Sequence, residues 1–361
     1  MQFFMKQIFI LGRNPELSKA EILAYADTRN LEPKEILFEE NYLVLELNTQ
    51  IDIQDLGGTI KSGEVLSEGS EEEVADYINK EDLFDSDKFT YGVFGNVDEE
   101  ILKEKFKSEK RKAVLKHGRQ RMKSQGGEKF EIPKSDVCFF LSALDDKFYF
   151  GTLSQEYDYE GVKSRDMEKP VRREELAISP RLSKILINLA GAKEDDLVLD
   201  PFCGIGGILI EALVRGMKVY GVDRDANAIK GALSNMSWLK KNFKIMKPYI
   251  IERRDARKVP DKQFDAIATE TPLGKIVRHR PNRQEARETI ENFERFIMPL
   301  LKYFKSIKKE SARIAITFPK IREAGVDCSL VEEETGLKVV TGPIFEGRPG
   351  QFIGRDIVVF E

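Results

Sequence analysis

Sulfur and imidazole are scarce in this chain of 361 residues, which holds three cysteines (Cys138, Cys203, Cys328) and two histidines. The cysteines are far apart, odd in number and without CxxC spacing, so neither a disulfide framework nor a zinc site is expected, and no metal is assigned. That cysteine usage suits the reducing cytoplasm. Long apolar runs are missing as well: none approaches the roughly 18 residues of a membrane span. The opening MQFFMKQIFILGR is strand-like and gives way at once to polar residues, unlike a signal peptide. A cytoplasmic protein with no membrane partner is therefore expected, long enough for two or three domains with cores of their own.

Excess charge of one sign is also missing, since the net charge is −4, but the average hides an asymmetry. Glu64 to Lys88 carries ten acids and two lysines, whereas Lys103 to Lys134 carries twelve Lys or Arg against four acids. A block of that kind steers an anionic polymer whatever the global sign; its plainer reading is a solvated helix face.

Along the chain, QIFILGR reads as a strand, Asn14-Pro15 opens a helix with Leu17, Ala20, Leu23 and Ala24 on one face, and NYLVLELN and LGGTIKSGEVL follow as strands. Residues 1–70 thus form a small α+β unit. A second, 71–156, runs from the helix EEEVADYINK through the strand FTYGVFGN, a basic helix from about Asp98 to Lys123, and the strands DVCFFLSAL and KFYFGTLSQ. This order suggests ferredoxin-like halves rather than one large sheet. Residues 157–175 lack periodicity and read as a linker. From 176 to 361 the character changes: SPRLSKILINLAG is a helix opened by Ser179-Pro180 and closed by Gly191, and short apolar strands then alternate with helices, the pattern of a parallel doubly wound sheet.

The strand DLVLD ends in Asp200-Pro201-Phe202-Cys203-Gly204-Ile205-Gly206-Gly207, directly before a helix. Glycines at a strand-to-helix turn let backbone approach a ligand, and the helix end offers free N–H groups. Alone, such a turn serves NAD, a phosphate or nothing but chain reversal. Its neighbours sharpen it. Asp223 ends the next strand, where a carboxylate accepts two ribose hydroxyls; Asp255 follows the third, placed for an adenine amine; and Asp200 opens the turn with an acid that repels pyrophosphate but suits a cationic amino-acid ligand. Acids at these points favour S-adenosylmethionine over a dinucleotide, although acids at strand ends also serve as helix caps.

LDPFCGIGGILIEA followed by GVDRD, with ISPRLSKILINLAG upstream, resembles the catalytic domain of THUMP-containing tRNA (guanine-N2) methyltransferases of the archaeal and eukaryotic type that acts on the guanosine at tRNA position 10. The resemblance spans most of the chain: FILGRNPELSKAEI and LGGTIKSGE resemble the family's opening domain, residues 71 to about 156 its THUMP RNA-binding domain, and RDMEKPVRR its linker. It implies a Rossmann-like class I methyltransferase domain preceded by an α+β ferredoxin-like and THUMP region. It also implies S-adenosylmethionine held by Asp200, Phe202, Gly204, Gly206, Asp223, Arg224, Asp255 and Ala256, and tRNA phosphates met by Lys116, Arg119, Arg121 and Lys123. Some relatives need a small zinc-binding activator protein over an apolar edge of the catalytic sheet; the sequence leaves that partner open.

In amine methyltransferases the fourth strand ends in Asp or Asn, Pro, Pro and an aromatic residue. A conjugated exocyclic amine is a poor nucleophile, so acceptors for its hydrogens must aim its lone pair. Here the corner reads Glu270-Thr271-Pro272-Leu273: an acceptor with one more methylene, one proline and no stacking ring. Glu270 and Pro272 are the candidate catalytic residues; Arg278, Arg280 and Arg283 follow, close to the expected target pocket, as RNA-backbone contacts, and Phe352 is a substitute ring. Two functions lead: tRNA guanine-N2 methylation with Glu270 orienting the amine, and a catalytically impaired RNA-binding homologue that keeps the cofactor fold; a nicotinamide dehydrogenase and a DNA amine methyltransferase are the remaining alternatives.

Overall fold

The computed structural model describes residues 4–116, 134–173, 178–272, 279–347 and 351–361. It has two compact units, Met1–Pro15 with Arg29–Gln54 and Thr59–Tyr157, and Glu16–Thr28 with Asp55–Gly58 and Asp158–Glu361. Helix α1 (Pro15–Thr28) thus belongs almost wholly to the second. Among the described residues no helix is long and apolar enough to cross a membrane.

In the first unit, β1 (Met5–Leu11), β2 (Lys34–Glu39), β3 (Tyr42–Leu47), β4 (Thr59–Gly69), β5 (Lys88–Phe94), β6 (Lys112–Leu115), β7 (Val137–Leu144) and β8 (Lys147–Glu156) make one described sheet in the order β2-β3-β1-β4-β8-β7-β5-β6. This corrects the expectation of halves rather than one large sheet. The long strand β4 pairs with β1 along one edge and β8 along the other, so the hydrogen-bond ladder runs through both expected modules. Alternate residues of β7 feed two cores: Cys138 and Phe140 join Ile8, Val44 and Tyr149, whereas Phe139 and Leu141 join Phe150 and the apolar faces of α2 (Glu71–Lys80) and α3 (Glu100–Ser108). The expected basic helix to Lys123 is corrected too. α3 stops at Ser108, Lys110 takes a left-handed φ of 58°, and the chain turns into β6, parallel to β5.

The second unit follows with α4 (Tyr159–Met167), α5 (Pro180–Leu189), β9 (Leu197–Asp200), α6 (Gly207–Val214), β10 (Lys218–Asp223), α7 (Ala226–Phe243), β11 (Tyr249–Arg253), β12 (Ala266–Glu270), α8 (Arg283–Ile307), β13 (Ile314–Lys320), α9 (Cys328–Thr335), β14 (Val339–Glu346) and β15 (Gly354–Phe360). Its sheet order is β11-β10-β9-β12-β13-β15-β14, parallel through β13, with β15 antiparallel between β13 and β14. This is the Rossmann-like methyltransferase architecture. Strand order reverses between β9 and β12, and in open α/β sheets ligands bind outside the carboxyl ends of the strands at such a switch point.

The segment expected as linker holds α4, capped by Asp158, whose Arg165 makes two 3.0 Å hydrogen bonds to buried Glu211 of α6. A short helix anchored by buried Val162 and the Arg165–Glu211 ion pair leaves no apolar period to read. α1 differs as well: Leu17 and Ala24 are buried as expected, but Ala20 and Leu23 are only partly so, and Glu21 is fully buried. The Glu21 carboxylate accepts from the N–H groups of Gly57 and Gly58 at 2.6 and 2.7 Å and from Asn188 at 2.7 Å, and burial pushes its pKa up.

Candidate active site

The carboxyl ends of β9, β10, β11 and β12 border a cleft of about 590 Å³, within the range of small-molecule sites. Asp200, Phe202, Gly204, Asp223, Arg224, Asp255, Ala256, Glu270 and Pro272 all line it. Residues spread over seventy positions of sequence meet because each ends, or directly follows, a parallel strand.

The glycine turn is built by backbone conformations that disfavour side chains. Gly204 has φ 52° and Gly206 φ 88°. A Cβ at Gly204 would meet nothing within 4 Å, because it faces open cleft. Gly206, the N-cap of α6, is not part of the lining, and a Cβ there would stand 2.8 Å from Met236. There it lets α7 pack closely, and it stands outside the lining where a ligand contact was expected. Asp223 binds the turn directly: one oxygen accepts from Gly204 N at 3.0 Å and the other from Asp225 N at 2.8 Å. A carboxylate accepts about four hydrogen bonds, so capacity remains for ribose hydroxyls.

Asp200 is 2% exposed and accepts from Thr269 Oγ1 at 2.6 Å and from Phe202 N at 3.1 Å. Burial, reinforced by the charges of Asp223 and Glu270, pushes its pKa up to about 7. Asp255 behaves oppositely. Hydrogen bonds from the Arg257 side chain and N–H hold its carboxyl well below the usual range. Phe202 packs against Phe296 of α8, centroids 5.9 Å apart, as part of an apolar wall that includes Ala256.

At the other end, Glu270 closes β12, and Arg355 of β15 donates from Nε to its Oε1; each side chain is 14% exposed. The unexpected Thr271 is buried, donates its hydroxyl to Thr317 O at 2.6 Å, and donates its N–H to Thr317 Oγ1 at 3.2 Å. Two bonds to β13 thus fix the corner.

Sequence reasoning missed Lys169, Arg257, Arg295, Phe296 and Arg355, which also line the cleft, and the part of Thr269 in tying β9 to β12. Arg257 had a local signal, two residues beyond an acid at a strand end; the rest depend on packing and register. Arg280 and Arg283 line a separate depression with Arg287 and Arg322. Phe352 is exposed and absent from the lining. Lys116 is exposed just beyond β6, while Arg119, Arg121, Lys123 and Arg278 lie outside the described residues. Cys203 is buried, and burial holds its thiol well above the usual range, consistent with packing rather than nucleophilic attack.

Comparison with known proteins bears on this geometry. Residues 170–316 match the RMKL-like, methyltransferase domain model. A tRNA (guanine(10)-N2)-dimethyltransferase of Pyrococcus abyssi is 27% identical over 343 residues, 93% of this chain and 94% of its own. A "Probable tRNA (guanine(10)-N2)-dimethyltransferase" of Methanothermococcus thermolithotrophicus is 33% identical over 113 residues, 29% of this chain and 67% of its own. The chain belongs to the tRNA (guanine-N2) methyltransferase family. The crystal structure of TrmN from Thermus thermophilus, 15% identical with a TM-score of 0.52 and covering 99% of both chains, shares the fold.

S-adenosylmethionine is the cofactor of this family, and the cleft fits it. Open space above Gly204, a part-satisfied Asp223 carboxylate and a buried Asp200 with no cation partner among the described residues match a nucleoside bearing positive charge.

Proposed function

We propose that this chain methylates the exocyclic N2 of a guanosine in tRNA and that Glu270 orients the amine. The observation that carries the reading is the pairing of two half-sites on the same sheet edge. The Gly204 and Asp223 turn lies at one end of the cleft and the Glu270-Thr271-Pro272 corner at the other, joined by the Thr269 to Asp200 hydrogen bond between β12 and β9. Bound S-adenosylmethionine supplies an electrophilic methyl group. Glu270 accepts a hydrogen of the guanine amine, which turns the nitrogen lone pair out of conjugation and toward the cleft. Thr271 holds that carboxylate's backbone in place through Thr317. Water takes the amine's proton after transfer, so no further base is needed.

Recognition of the tRNA falls to basic side chains. In this reading Lys116, Arg119, Arg121 and Lys123 in the first unit and Arg278, Arg280 and Arg283 in the second contact phosphates, which set position and affinity without reading bases. Selection of the nucleotide then depends on tRNA shape and on the pocket.

A second reading has one observation in its favour. The Arg355 hydrogen bond engages the Glu270 carboxylate, which favours a chain that binds cofactor and RNA with little turnover. Labelled S-adenosylmethionine with unmodified tRNA, followed by nucleoside mass spectrometry, separates the two. N2-methylated guanosine is expected in wild type and absent in Glu270→Ala. RNA binding without any methylated nucleoside would establish the second reading.

A further inference from the structure

The acceptor and its arginine are set by the sheet rather than by a loop. Glu270 lies opposite Thr317 in the β12–β13 register, and Arg355 lies opposite Pro319 in the β13–β15 register. The two side chains therefore meet across β13, both largely buried and both lining the cleft. A guanidinium has five N–H donors in one plane. Among the described residues the Arg355 side chain bonds only Glu270, through Nε, so its terminal nitrogens remain as donors beside the carboxylate.

That juxtaposition has a pattern: acceptors on Glu270 next to donors on Arg355. Guanine alone among the common bases presents the complement along one edge, with two donors, N2–H and N1–H, followed by an acceptor, O6. Adenine places an amine where O6 stands and an acceptor where N1–H stands. Resting on the function proposed above, we infer that Glu270 and Arg355 form a guanine-reading pair, the carboxylate accepting from N2–H and N1–H and the guanidinium donating to O6. Arg355 is thus a specificity-determining residue. The same bond explains how a glutamate serves where the family has a shorter acid: the arginine fixes the extra methylene against β15.

The test uses the full-length protein and two tRNAs that differ only at the target base pair, guanosine opposite cytidine or 2,6-diaminopurine ribonucleoside opposite uridine. The analogue keeps the N2 amine but replaces O6 with an amine and N1–H with an acceptor. Wild type should prefer guanosine by roughly 10- to 100-fold in kcat/KM, the range of one good bidentate base contact. In Arg355→Met the preference should fall several-fold, the remainder being Glu270 reading N1–H, and in Arg355→Lys, which still donates to O6, part of the loss should return. Cofactor affinity should be unchanged throughout. An Arg355→Met protein that loses rate on both substrates while keeping the wild-type ratio would overturn the proposal and make Arg355 a structural prop. Should Arg355→Met turn over neither, competition binding of the two RNAs reads the same ratio. Should wild type methylate neither, the methyl-transfer reading fails by itself, and the binding preference still decides for or against Arg355.

Discussion

The two ends of the cleft are built in different ways. At the nucleotide end each element is local: Asp200, Gly204 and Gly206 occur within one turn, and Asp223 clasps that turn through Gly204 N. At the target end the supports come from far along the chain. Glu270 leans on Arg355, 85 residues on, and Thr271 on Thr317, 46 residues on. A ligand gripped mostly by backbone needs a specific chain path, so its sequence motif tolerates little change. A side chain aimed by its neighbours can be replaced when the neighbours change with it, and Glu-Thr-Pro-Leu is such a replacement.

The largest effects should come from cutting each end separately. Asp223→Ala removes the acceptor proposed for two ribose hydroxyls, and hydrogen bonds to a charged group contribute about 1.5–3 kcal/mol each, so cofactor affinity should fall by about 100-fold or more in calorimetry. Glu270→Ala should leave that affinity nearly intact while kcat falls by about 10²–10³, the range seen when one preorganised group at a developing charge is deleted. Comparable losses of cofactor affinity in both variants would mean that the cleft is one site rather than two half-sites.

Asp200 stands between the ends and sharpens the comparison through pH. Its folded pKa, about 7, lies above the ordinary 3.8, so without a cationic ligand the folded protein holds a proton that the unfolded chain releases. Stability from this group is complete below about pH 4 and is lost as pH rises through 7. A bound cation favours the ionised form instead. Affinity for S-adenosylmethionine should therefore rise with pH up to about 7, by at most about tenfold per unit, then level off, with proton release on binding below that point. Asp200→Asn should flatten both dependences and bind weakly at every pH. An unchanged pH profile in that variant would place the titrating group elsewhere.

How much the sequence disclosed follows the same division. The glycine turn, the acids at the ends of β9 and β10, the Ser179 cap and Gly191 stop of α5, and the alternation of strands and helices were all legible, because each is local chemistry with a fixed spacing. Arg355 was not, since its meeting with Glu270 depends on an antiparallel strand inserted between β13 and β14, whose register no local motif specifies. The one large sheet of the first unit was hidden for a similar reason: β4 reads the same whether one or both of its edges are paired. Glu21 shows the limit of apolar periodicity, because a buried acid satisfied by two backbone N–H groups looks in sequence like a solvent-facing one.

Thr271 offers the smallest effect and a direct test of remote support. Thr271→Val keeps shape and β-branching, and with them the N–H bond to Thr317 Oγ1, but leaves the buried Thr317 carbonyl without its hydroxyl donor. Such a loss costs about 1–3 kcal/mol. For a unit of this size that is a fall in Tm of roughly 2–4 °C per kcal/mol, with a few-fold drop in kcat as the corner loosens. Thr271→Pro restores the residue usual in the family, and its outcome differs between the two views of the corner. A locally encoded corner would gain rigidity and rate. A corner held by β13 loses both bonds to Thr317, because proline has neither hydroxyl nor N–H. The expectation here is that Thr271→Pro melts at or below the temperature of Thr271→Val and is no faster than wild type. A faster, more stable proline variant would show that Thr317 supports nothing and that the target end, like the nucleotide end, is written in its own turn.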